Sequence, residues 1–320
     1  LHAALVVAEP RQRWVTSRLP AINPAFALAE VVWILTGRSD ARFLTHWNPG
    51  LTRFVGADVD LHGAYGRRLR GAHGLDQLRS AYATLSHNPD SRQVVLQIWS
   101  ATLDLPDTEG RPRSEDVPCN IASCLKVRDG ALHWLQTLRS NDIFLGVPHN
   151  VVQFTMLQEI IAGWLKLDMG EYVQVSDSLH LYDRDAVGML TDASAAPAVN
   201  TDRFRDDFDV SNQRFEALAH LMETLIDGTS HDRASACSAG LELPREYANI
   251  FAVVAADDSR RRGDGRFASR LMSRCTNDAY QQLWDRWCQR QAARGAGSQV
   301  SVVVHQDASG PPDVGSPGAV

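Results

Sequence analysis

The feature that most constrains this 320-residue sequence is the run VVQFTMLQEIIAGWLKL at residues 151–167. It is long enough for four to five helical turns at ~3.6 residues each, and apolar residues lie nearly all round it. A helix with no polar face must be enclosed by other elements. Its neighbours in sequence read as strands. RQVVLQIWS, IASCLKVRDG, ALHWLQTLR and EYVQVSDSLHLY are short apolar or alternating runs, and Asp129-Gly130 joins the second and third as a hairpin. LHAALVVAEP predicts a further strand at the start. Pro24 opens an apolar helix, PAFALAEVVWILTG, that stops at Gly37. Residues 40–75 are loop-rich, and residues 76–87 suit a helix ended by the NPDS turn. Beyond about residue 195 the texture changes: residues 211–227, 244–262 and 264–293 read as three polar-faced helices, and the stretch from Gly295 is rich in Gly, Ser, Pro and Val. No internal repeat is visible. The pattern is α+β, with antiparallel strands around one buried central helix and a helical C-terminal third.

Charge narrows the function. The formal net charge of -6 speaks against a general nucleic-acid or membrane-surface binder, which would carry a basic excess. It does not oppose a small anionic substrate, for which a few placed arginines suffice. The five cysteines are odd in number and form no CxxC pair, which predicts neither a disulfide framework nor a metal site and favours a reduced, cytoplasmic setting. No apolar run approaches the ~18 residues of a membrane span. No signal-peptide pattern is visible, and the opening residue, Leu1 rather than Met, leaves a preceding segment open.

Several residues could carry chemistry. Cys119, in DVPCN, reads taken alone as a buried small hydrophobe or as a nucleophile; nearby arginines favour the second, because a reactive thiolate needs positive surroundings. Arg139 and Ser140, side by side at a strand end, could clamp a phosphate or simply lie in a surface turn. His180 and Tyr182 are two apart on a strand and share a face, which suits a sugar hydroxyl or a half-buried polar surface. Glu30, inside ALAEVVWIL, is the strongest anomaly. Buried and unpaired it would cost several kcal/mol, so it is either an outward-facing residue or a proton shuttle.

In order along the chain, AEVVWILTG, HGAYGRRLR, NPDSRQVV, DVPCN, LRSNDIFLGVPHN and SLHLYDRD resemble the thymidylate synthase and pyrimidine-nucleotide hydroxymethylase superfamily, over Asn23 to Tyr182. The resemblance implies a thymidylate synthase-like α+β fold: a mixed sheet backed by helices, a long buried central helix and a helical C-terminal third. It implies a catalytic core over residues 1–195, a helical part of the same domain over 196–294 and a flexible tail over 295–320. The implied activity is transfer of a one-carbon unit from 5,10-methylenetetrahydrofolate to C5 of a pyrimidine nucleoside monophosphate. By position, Cys119 matches the nucleophile that adds to C6, Glu30 the carboxylate of the proton relay, and Tyr65 the tyrosine near the C5 proton. Asp142 and Gly146 match folate-side and base-side positions, Arg139 and Ser140 phosphate and thiol-side contacts, Asn150 the residue that reads the pyrimidine edge, and His180 and Tyr182 the sugar-holding pair. Arg92 matches an arginine lent across a homodimer to the partner's phosphate site. No metal, nucleic acid or membrane is implied.

Departures from the family pattern point to the product. Methylating members carry a tryptophan-rich stretch just before the GxxYG segment; here Trp47 stands alone and well upstream. The usual arginine pair is Arg92-Gln93. The N-terminal phosphate-covering arginine loop has no match, and Arg11, Arg13 or Arg18 are the available substitutes. The C-terminal strands are replaced by helices, and LPREYANIFAVVAADDSRRRGD resembles hydroxymethylase-type relatives. Hydroxymethylation is therefore the expected outcome, with methylation of dUMP to dTMP and a non-catalytic nucleotide-binding paralogue as alternatives. An asparagine at 150 leans toward uracil, although a flipped amide presents the pattern that cytosine wants.

Overall fold

The computed structural model describes residues 1–52, 60–186, 190–191 and 196–300. In chain order the elements are β1 (Ala3–Val7), β2 (Arg18–Leu19), α1 (Pro24–Leu35), α2 (Ala41–Trp47), α3 (Tyr65–Arg70), α4 (Gln77–His87), β3 (Val95–Gln97), α5 (Ala101–Asp104), β4 (Asn120–Arg128), β5 (Ala131–Asp142), α6 (Gly146–Trp164), β6 (Asp168–His180), α7 (Asp183–Ala186) and β7 (Leu190–Thr191). They are followed by α8 (Phe208–Asp227), α9 (Ser230–Leu241), α10 (Arg245–Arg261), α11 (Gly265–Met272) and α12 (Asp278–Val300).

One five-stranded sheet has the order β1-β6-β5-β4-β3. β4 and β5 form the hairpin expected from Asp129-Gly130, and both turn residues take positive φ, 50° and 73°. The expectation of an antiparallel sheet fails at one pair: β5 and β6 run parallel. The reason is the apolar helix itself. α6 connects the two strands, and a crossover of that length returns the chain in its original direction, which a tight turn cannot do. The result is the mixed sheet that the family resemblance implies.

α6 lies against β5, β6 and α1, with residues 150–164 all buried. Two of its polar members, Gln158 and Glu159, reach partners outside the helix. Gln158 Nε2 donates to the carbonyls of Leu132 (2.8 Å) and Gly170 (3.0 Å), beside the irregularity in the β5–β6 register. Glu159 pairs with Arg11 (3.0 Å) and with Arg13, whose side chain is buried.

α1 is capped by Asn23, whose side chain accepts from Phe26 N, and begins on Pro24. Every residue of α1 is buried except Glu30. α1 is flanked on one side by α6 and on another by α8 and α10, so the C-terminal helices share a core with the sheet half.

The C-terminal third holds five helices among the described residues, where three were expected. α9 begins at a capping box in which Thr229 and Asp232 bond reciprocally; its mixed composition, SHDRASACSAGL, hides it. The stretch 264–293 is two helices, broken around Asn277, whose side chain accepts from Ala279 N and donates to Asn200 and Asp202. Residues 295–300, expected to begin a tail, continue α12; residues 301–320 lie outside the described residues. No described helix is long and apolar enough to cross a membrane.

Candidate active site

A cleft of about 460 Å³ opens where the C-terminal ends of β5 and β6 meet the N-terminus of α6. That volume falls in the ~300–1,000 Å³ range of small-molecule sites. Of the residues singled out from sequence, Glu30, Tyr65, Cys119, Ser140, Asp142, Gly146, Asn150, His180 and Tyr182 all line it. They come from six separate stretches of chain. Arg139 sits just behind: its Nε donates to Pro118 O at 3.0 Å and its Nη2 to Val117 O at 2.9 Å, bracing the loop that carries Cys119. Arg92 is exposed and does not line this cleft.

Close contact explains two of the glycines of these motifs. Gly63, in HGAYG, passes the DVPC loop so closely that a Cβ would lie 3.0 Å from Asp116 O and 3.1 Å from Pro118 N, and its N–H donates to Asp116 Oδ2 at 2.9 Å. That contact seats Tyr65 beside the cysteine loop. At Gly146 a Cβ would run into the Asn141 side-chain oxygen, so any larger residue there would have to displace the Asn141 amide.

Glu30 is the single part-exposed residue of its helix because it faces this cleft. His149 Nδ1 lies 3.0 Å from its Oε2, with the ring tilted against Phe26 at 5.2 Å. One turn along α6, Gln153 also lines the cleft, and its buried Oε1 has no partner. Sequence reading passed over His149 and Gln153. The available signal was their polar character at i and i+4, on one face of a mostly apolar helix.

The thiol of Cys119 is not poised as the nearby arginines suggested. Burial pushes its pKa up, Asp116 adds to the rise, and Arg139 only partly opposes them. Tyr65 is raised as well, chiefly by burial and by Cys119, while a hydrogen bond from Asn120 works the other way. The thiol is therefore protonated at neutral pH in the free protein. Alkylation of Cys119 by iodoacetamide, followed by peptide mass spectrometry, should be slow at neutral pH. It should keep accelerating beyond the ordinary thiol range of about 8.5, and Arg139→Ala should slow it further. A rate that levels off near neutral pH would contradict this.

Asp142 caps the turn into α6: its Oδ1 accepts from Phe144 N (2.6 Å) and Leu145 N (2.8 Å). Its Oδ2 is buried without a partner, an acceptor awaiting a donor. Trp33, Ile34, Leu44, Leu51, Leu61 and Leu145 make the cleft wall largely apolar. His180 and Tyr182 meet edge to face at 5.1 Å.

The three candidate substitutes for a phosphate arginine are engaged elsewhere, and none lines the cleft. Arg11 and Arg13 hold Glu159. Arg18 lies 4.0 Å over the Phe144 ring; burial pushes its pKa down to about 10, opposed by Asp142 and Asp185, so it stays cationic at neutral pH. Trp47 is fully buried and absent from the cleft wall. Among the described residues no group of side chains could hold a metal ion.

Several known proteins are similar to this chain. The chain is 36% identical over 182 residues to a deoxyuridylate hydroxymethyltransferase of Bacillus phage SP01, covering 53% of this chain and 46% of that one. It is 35% identical over 184 residues to a protein of the same description from Pseudomonas phage M6, covering 56% and 51%. The chain thus spans about half the length of these two relatives. A thymidylate synthase of Francisella philomiragia is 28% identical over 167 residues, covering 48% and 60%. The crystal structure of thymidylate synthase from T4 phage aligns with a TM-score of 0.45 at 20% identity, over 58% of this chain and 68% of that one. The thymidylate synthase family profile matches residues 15–217, well over half of the sequence, and the chain belongs to that family.

Proposed function

We propose that this protein adds a one-carbon unit to C5 of deoxyuridine monophosphate and completes the reaction with water, giving a 5-hydroxymethyl nucleotide. The observation that carries this reading is the meeting of Cys119, Glu30 and Asn150 in one cleft. A thiol and a carboxylate facing the same space are not needed for binding alone.

In this reading Cys119 Sγ adds to C6 of the pyrimidine, and the electron pair of the C5–C6 double bond makes C5 nucleophilic. 5,10-Methylenetetrahydrofolate, which Asp142 Oδ2 and the apolar wall would hold, would supply the one-carbon electrophile: C5 bonds to its methylene carbon, and tetrahydrofolate departs as the bond from that carbon to the folate nitrogen breaks. The C5 proton leaves on the Tyr65 side. The nucleotide then carries an exocyclic methylene at C5, still bound to Cys119. Water attacks that carbon, its proton passes to the Glu30–His149 pair, and the C6–S bond breaks to restore the ring. Three features support water over hydride: the polar Glu30–His149 pair, the unpartnered Gln153 Oε1 in the same wall, and the withdrawal of Trp47 into the core. The names of the two phage relatives agree. The reading includes a reduced cytoplasmic setting and a homodimer in which the exposed Arg92 serves the partner's phosphate site.

Mass spectrometry of the nucleotide after incubation with methylenetetrahydrofolate and dUMP, UMP, dCMP or CMP tests this. A gain of CH2O on dUMP is expected. A gain of CH2 with dihydrofolate would establish methylation instead, the reading favoured by the Francisella relative. No mass change on any nucleotide would overturn the enzymatic reading in favour of binding alone.

A further inference from the structure

An asparagine amide has two ends of nearly the same shape and opposite hydrogen-bonding sense. Asn150 can therefore offer a base edge either of two patterns, unless other groups choose between them. A buried chain of side chains makes that choice. Trp134 Nε1 donates to Gln136 Oε1 at 3.1 Å. An indole N–H can only donate, so Gln136 must turn its oxygen toward it. Gln136 Nε2 then faces the other way and donates to Asn120 Oδ1 at 2.9 Å. Asn120 in turn presents Nδ2 on its far side, where it donates to Asn150 Oδ1 at 3.5 Å. The same sense continues outward: Asn150 Nδ2 donates to Asn141 Oδ1 at 3.1 Å, and Asn141 Nδ2 to Ser176 Oγ at 3.4 Å.

Every amide in the chain points the same way, and none can be reversed cheaply. Gln136 and Asn120 are fully buried, and Asn141 and Asn150 nearly so, so water is not at hand to pair an end turned the wrong way. The hydroxyls of Ser123, which also donates to Gln136 Oε1, and Ser176 can either donate or accept, so neither dictates direction. The indole of Trp134 is the one member confined to donation.

We propose that Trp134 is a positioning residue for base selection. Acting through Gln136 and Asn120, its N–H holds the Asn150 amide in one orientation and so makes the cleft distinguish a uracil edge from a cytosine edge. Uracil offers an acceptor at O4 and a donor at N3, and cytosine the reverse. A freely turning amide pairs with both, whereas a held one suits a single base and leaves the other with unpaired groups. Trp134 itself does not line the cleft. The inference rests on the nucleotide reading above.

Calorimetric affinities of the full-length protein for dUMP and dCMP test it. Wild type should prefer dUMP. Trp134→Phe keeps an aromatic ring but removes the N–H, and should reduce the dUMP-to-dCMP affinity ratio about tenfold or more, partly through a gain for dCMP. Ser123→Ala should leave the ratio within about twofold, because a hydroxyl does not set the direction. A folded Trp134→Phe protein that keeps the wild-type ratio would overturn the proposal. Should that variant fail to fold, Gln136→Met cuts the chain at similar volume, and the same collapse of the ratio is required. A wild type that binds both nucleotides equally sinks this inference but leaves C5 transfer standing. A wild type that binds neither withdraws the nucleotide reading as well.

Discussion

Replacing Cys119 by serine is expected to abolish turnover, lowering it by at least about 10³-fold, with the fold intact by circular dichroism and thermal melting. The size of the loss follows from the site. A serine hydroxyl is far less acidic than a thiol, and burial already raises the cost of an anion at this position. Arg139 is the cation that opposes this, yet its guanidinium is committed to the carbonyls of Val117 and Pro118 and does not offset burial even for the thiol. An alkoxide would fare worse. Product formation by the serine variant within about tenfold of wild type would rule out addition of this side chain to C6. A protonated resting thiol also implies that the nucleophile is activated only in the complex, where the substrate replaces water in the cleft.

Glu159→Ala should be the most damaging single substitution for stability away from the cleft, costing roughly 3–5 kcal/mol by chemical denaturation. Glu159 is buried on α6 and pairs with Arg11 and Arg13; the Arg13 side chain is only 1% exposed. Removing the carboxylate leaves a buried guanidinium whose remaining bond is from Nε to Pro10 O. The damage should spread along the N-terminal segment, because Gln12 and the backbone of Arg11 exchange hydrogen bonds with Asn200, which is tied in turn to Asn277. Glu159→Gln keeps an acceptor and should cost distinctly less. A loss below about 1 kcal/mol for the alanine variant would mean that the pair is solvated in solution and behaves like a surface ion pair.

Residue types and their order along the chain pointed to nine of the residues that line the cleft. Cys119, Glu30, Asn150 and the Arg139-Ser140 pair each sit in a short motif that survives as a local pattern. Glu30 stood out because one carboxylate interrupts eleven buried neighbours in α1. Residues that act through partners were less visible. Gln136 lies on the inward parity of β5, among Leu132, Trp134 and Leu138; a polar residue at such a position is a signal that alternation alone provides. Asn120 could not be found that way. A bulge between Asn120 and Ala122 shifts the parity of β4, so Asn120 and Ser123 both point inward. The parallel pairing of β5 and β6 and the extra C-terminal helices were likewise hidden, the first because it depends on how α6 packs and the second because α9 has little apolar periodicity.

From the sequence alone came the residue types: a thiol, a carboxylate, an amide and an Arg-Ser pair in a family-specific order, on an α+β chain organised by one apolar helix. Those are properties of residue identity and local spacing. The tertiary structure decided which arginines are free, since Arg11 and Arg13 are spent on Glu159. It also decided the protonation of Cys119, because burial outweighs a nearby cation. Above all it decided which way Asn150 faces. An amide's orientation is set by the nearest group that cannot reverse its role, and here that group is an indole sixteen residues away in sequence, reached through two buried amides on neighbouring strands.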